Sequence, residues 1–201
     1  LKSFVKYLIV AALAVVLIAV AVMIAQRYFF KLSDHVEVND GVALTKEFSI
    51  KSPTENQNSS VKGTIIVWGD KGIAKRMRIV ASYEIDPDDF SGMTVYIPKK
   101  WYISNILSST PEGPKPPLLP LSSDQDHDFY EWRNMVEVGV GFEGKPSGGG
   151  TGTIMIDLVS DQRAIQPSET FNIAVAIGSS MKNGVRTINA GNITIPISVK
   201  K

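Results

Sequence analysis

Cysteine is absent from the 201 residues, and histidine occurs only at His35 and His127. Without thiols there is no disulfide framework, no Cys-based zinc or iron–sulfur site and no thiol nucleophile. Two imidazoles do not make a His-rich metal centre. The 21 basic and 20 acidic residues nearly cancel, so no excess of one sign marks a nucleic-acid partner. The Gly-x-Ser-x-Gly elbow, the phosphate loop, the dinucleotide fingerprint and the His-Glu-x-x-His motif are all missing as well. The sequence is therefore read as that of a non-enzyme: no catalytic residue, no metal ligand, no cofactor and no nucleic acid.

One stretch also lacks charge. Residues 7–25, from Tyr7 to Ala25, hold no Asp, Glu, Lys or Arg, no Gly and no Pro. Roughly 20 such residues, at about 1.5 Å rise each, match the hydrocarbon thickness of a bilayer. Lys2 and Lys6 flank one end, and Arg27 and Lys31 the other, with Tyr28, Phe29 and Phe30 as interfacial aromatics. The pattern predicts a hydrophobic helix over residues 1–31, needing lipid or its own kind around it. A secretory signal peptide is the competing reading, but its apolar core usually spans only 7–15 residues. Those four basic residues leave 17 bases against 20 acids in residues 32–201, a net −3 for a mildly acidic head.

After Lys31 the pattern turns to short strands. His35–Val38, Asn39-Asp40-Gly41 and Val42–Ile50 read as strand, turn and strand, and Thr64–Trp68, a Gly69–Gly72 turn and Ile73–Ile85 as a second hairpin. Further strands are expected at 93–97, 135–142, 153–159, 170–177 and 192–199, while Trp101–Leu107 fits either a strand or one helical turn. Residues 108–123 hold five of the eleven prolines and read as an extended surface excursion. The fold class expected is α+β: a long N-terminal hydrophobic α-helix (1–31) followed by an all-β immunoglobulin-like sandwich (32–201).

Several clusters resemble sites without meeting their requirements. Asp124, Asp126 and Asp128 alternate as at the start of a calcium loop, but Phe129 and Met135 stand where its Gly and Glu belong. Asp86, Asp88 and Asp89 read as solvated acids of a Pro-containing turn. Gly148-Gly149-Gly150 lies between strands and reads as a flexible loop. Trp68, Trp101 and Trp132 read as packing residues, with a sugar-binding platform as the alternative. Asn58-Ser-Ser60 and Asn192-Ile-Thr194 are glycosylation triplets, which makes Asn58 and Asn192 the candidate glycan acceptors of an exported head.

Leu1 at the start, the unbroken run Tyr7–Ala25 and the passage near Lys31 into a Cys-free β-rich head resemble the type IV pilin superfamily, in its archaeal-type branch. Val5 stands where bacterial pilins carry a Glu, and the run lacks their helix-disrupting Gly or Pro. The resemblance implies removal of a short basic leader before Leu1, a membrane-anchored precursor, and assembly through the apolar helix into a filament at the cell surface, serving adhesion or motility. The packing residues expected on that helix are Leu8, Ala11, Ala14, Leu17, Ala21, Ile24 and Ala25, whose small members permit close backbone approach. The partner expected is the chain itself, as a helical homopolymer. The alternative is a single-pass membrane-anchored accessory protein with an exported β domain.

Overall fold

The computed structural model describes residues 41–53, 57–109, 121–124, 131–141, 145–146 and 148–200. All of them fall within one compact unit, Asp40–Lys201. Among the described residues there are ten strands and no helix, so the fold class is all-β and not the α+β expected from the sequence. The helix predicted over 1–31 and the strand predicted over 35–38 lie outside the described residues. Among the described residues no helix is long and apolar enough to cross a membrane.

The strands are β1 (Val42–Lys51), β2 (Ser60–Asp70), β3 (Ile73–Ile85), β4 (Met93–Pro98), β5 (Trp101–Ser108), β6 (Leu121–Asp124), β7 (Trp132–Val138), β8 (Gly150–Ser160), β9 (Thr170–Lys182) and β10 (Val185–Ser198). They form two five-stranded sheets, β1-β2-β3-β8-β5 and β10-β9-β4-β7-β6, with every pairing antiparallel. This order also corrects the immunoglobulin-like expectation. An immunoglobulin sandwich separates its second and third strands into different sheets. Here β1, β2 and β3 run as one meander in a single sheet, which then receives β8 and β5 from later in the chain.

Alternation explains which face each strand buries. In β3, Met77, Ile79, Ala81, Tyr83 and Ile85 point inward, while Arg76, Arg78, Val80, Ser82 and Glu84 point outward. In β8, Ile154, Ile156 and Leu158 do the same against Thr153, Met155, Asp157 and Val159. From the second sheet Val95, Ile97, Val136, Ile173, Val175 and Ile197 join the same core, so the two inner faces share one apolar interior. Trp101, fully buried at the start of β5, meets Phe171 from the opposite sheet, with ring centroids 4.9 Å apart.

Turns fix the ends. The β2–β3 hairpin closes through Lys71 (φ 50°) and Gly72 (φ 82°), and the β9–β10 hairpin through Asn183 (φ 51°) and Gly184 (φ 75°). Two successive positive φ values match the twist of paired strands. β9 and β10 run well past the stretches read from sequence as far as this turn, and β4 pairs β9 only as far as Ile177. Beyond that point the two strands form a ribbon whose Val185 and Ile188 are each 67% exposed. Pro196 lies on β10, an edge strand, where its missing N–H costs no ladder bond.

Candidate functional site

Two features of the body carry side chains that converge: a buried polar staple at one end and an aromatic cleft at the other. The staple is built on Asp89, which is fully buried. Its Oδ2 accepts from the Ser59 hydroxyl; its Oδ1 accepts from the Ser179 hydroxyl at 3.2 Å, the Ser91 backbone N–H at 3.0 Å and the Ser91 hydroxyl at 3.3 Å. Gln57 clamps Ser179 with its amide, donating to Oγ at 3.2 Å and accepting from the backbone N–H at 3.3 Å. The Ser59 oxygen accepts in turn from the Asp86 N–H at 3.0 Å. Loop 57–59, turn 86–92 and the start of the β9 ribbon are thereby tied together, joining the first sheet to the second.

This corrects the reading of Asp89 as a solvated acid and gives Asp86 a structural role, while Asp88 is exposed as expected. Asp86 orders backbone, its Oδ2 accepting from Asn58 N–H at 2.9 Å and its Oδ1 from Asp88 N–H at 3.0 Å. Asp89 spends its acceptor capacity on hydroxyls and an amide, as a buried carboxyl must. Among the described residues no group of three or more His, Cys, Asp or Glu is placed to hold a metal ion. Asp126, His127 and Asp128 lie outside the described residues.

The cleft, about 340 Å³, opens on the outer face of the second sheet at the opposite end. Its origin is a size mismatch along one cross-strand row. Tyr96 on β4 stands opposite Ala174 on β9, which stands opposite Thr194 on β10. The small Ala174 leaves a trough between its larger neighbours. Trp132 of β7 turns its ring toward Tyr96, with centroids 5.1 Å apart and planes 57° inclined. On the rim, Lys100 Nζ pairs with Glu169 Oε1 at 2.6 Å, while Glu169 Oε2 accepts from Gln166 N–H at 2.8 Å. Those two bonds, that from Lys100 first, hold the Glu169 carboxyl below the usual carboxylate range.

The three tryptophans fall on different surfaces and form no common platform. Trp101 is core, Trp68 lies beneath the Arg76 guanidinium on the outer face of the first sheet, and only Trp132 lines the cleft. Another depression, about 620 Å³, crosses the first sheet at Gly63. Gly63 itself has no room for a side chain: a Cβ there would meet the Val80 carbonyl oxygen at 2.5 Å and the Phe48 ring at 2.7 Å.

Both candidate glycan acceptors are exposed, Asn58 at the loop before β2 and Asn192 on the edge strand β10. Leu8, Ala11, Ala14, Leu17, Ala21, Ile24 and Ala25 lie outside the described residues. The pairing of Tyr96 with Trp132 and the burial of Asp89 went unread in the sequence, because both depend on which strands lie side by side. Comparison with protein-family models, with curated proteins and with solved structures returns no match.

Proposed function

We propose that the chain is a structural subunit of an extracellular surface filament, displayed outward as its all-β body and joined to identical copies through the apolar segment 7–25. The observation that carries this reading is the division of labour along the chain. An uncharged run of that length is stable only in lipid or among its own kind. In the body, the buried carboxyl of Asp89 is consumed by its own network, which leaves function to the outer surfaces. On this reading the precursor resides in a membrane, the finished subunit at the cell surface, and Asn58 and Asn192 are the acceptors for an attached glycan.

Electron microscopy of the purified full-length chain tests it. Fibres that dissolve in detergent and lose their order on Leu17→Asp, with the melting of the body unchanged, are the expected result. Recovery only as a monodisperse single-copy membrane protein overturns the filament and favours the anchored accessory reading.

A further inference from the structure

We infer that the Tyr96–Trp132 cleft is a binding site for neutral carbohydrate, of a size to take one or two pyranose rings. A pyranose has an apolar C–H face and a belt of hydroxyls, each both donor and acceptor. Its site needs aromatic surface on one side and a mixed, uncharged-on-balance polar rim on the other. The cleft supplies both. Tyr96 and Trp132 set two inclined ring faces beside the trough left by Ala174. Around them stand Asn172 and Thr194, with amide and hydroxyl groups that donate and accept.

Charge narrows the class. Two lysines, Lys99 and Lys100, and two glutamates, Glu131 and Glu169, line the same opening, so the rim sums to zero. A phosphate or sulfate would meet two carboxylates, a cation two ammonium groups, and a purely apolar ligand would strip water from all of them without replacing it. The volume of about 340 Å³ sits at the small end of ligand sites. Lys100 and Glu169 are held to each other and to the Gln166 backbone before any ligand arrives, which reduces the ordering cost of binding.

Two sources offer this chemistry: a glycan carried at Asn192, which lies on β10 two residues from Thr194, or a sugar from outside. The inference does not rest on filament formation. The test is saturation-transfer NMR on the full-length, unglycosylated chain in detergent, with glucose, galactose, mannose, N-acetylglucosamine and their β-linked dimers, and a sulfated disaccharide as the anionic control. Transfer from at least one neutral sugar, with a dissociation constant on the order of 1 mM, and none from the sulfated control is expected.

Ala174→Leu, which fills the trough, and Asn172→Ala should each weaken binding at least tenfold. Trp68→Ala, on the other sheet, should leave it unchanged. Trp132→Ala should abolish binding and Trp132→Phe restore part of it; circular dichroism reports whether each variant is folded, and the exposed Asn172 carries the test should Trp132→Ala not be. In material from a glycosylating host, sugar binding that appears only after Asn192→Gln assigns the cleft to the chain's own glycan, and binding in both forms assigns it to an external one. Silence of every neutral sugar on the folded unglycosylated chain, or binding indifferent to Ala174→Leu and Asn172→Ala, overturns the site.

Discussion

Asp89, Gly63 and Trp101 show how much of this body depends on single side chains. Removing the Asp89 carboxyl strands three hydroxyls and a backbone N–H in a region closed to water. Asp89→Ala should cost on the order of 3 kcal/mol, read as a drop in the urea midpoint with unchanged slope. Gly63 is cramped for a different reason. It faces Phe48 across the β1–β2 ladder, and the ring occupies the space that a methyl would need. Gly63→Ala should cost about 1–3 kcal/mol through overpacking alone. Tyr83 repeats the device, lying over its cross-strand partner Gly152, and burial pushes its phenol pKa up. Trp101→Ala leaves a hole at the meeting of the two sheets and should cost about 3–5 kcal/mol by thermal or urea unfolding.

At the scale of the element, the β9–β10 ribbon offers a cleaner measurement of backbone geometry. Nothing lies within 4 Å of the place a Cβ would take on Gly184, so only its φ of 75° opposes a side chain. Gly184→Ala should therefore destabilise by about 1–2 kcal/mol, with no change in core packing visible by NMR. The same elements mark what the sequence could and could not disclose. The strict alternation of β3 and β8 and the Lys71-Gly72 turn were legible, because a period of two names the buried face directly. The neighbour of each strand was not: the same alternation places β8 beside β3 and β5 no better than elsewhere. The β9–β10 arm carried its own Asn183-Gly184 signal, yet Gly178 and Gly191 interrupted the apolar pattern around it. β5 stayed ambiguous because a register shift between Ile103 and Asn105 breaks its alternation. Asp89 was hidden by its neighbours Asp86 and Asp88, and its partners Ser59 and Ser179 are 30 and 90 positions away.

At the scale of the whole molecule, the ion pairs Arg78–Asp157 and Lys100–Glu169 both lie at partly exposed positions, where solvent screens them. Arg78 Nε donates to Asp157 Oδ1 at 2.6 Å across the β3–β8 ladder, a bidentate pair that raises the Arg78 pKa through that hydrogen bond. At the cleft rim Glu169 titrates below its usual value, so its bond to Lys100 stabilises the fold above the unfolded carboxylate pKa. That contribution disappears as the pH falls through the depressed folded value. Both groups are partly exposed, which limits the effect to a few tenths of a kcal/mol. Urea unfolding should separate wild type from Glu169→Gln at pH 7 and find them equal at pH 2.

The direction of β1 has a mechanical corollary. Val42, where this strand begins, lies at the end of the body opposite the Asn183–Gly184 tip, and β1 is held along its length by the β2 ladder. Ladder bonds stand perpendicular to the strand axis. A tensile load applied between Val42 and that tip must slide β1 past β2, straining many bonds at once, whereas a load applied sideways peels them one by one. Single-molecule pulling along these two axes should find the lengthwise rupture force clearly the larger.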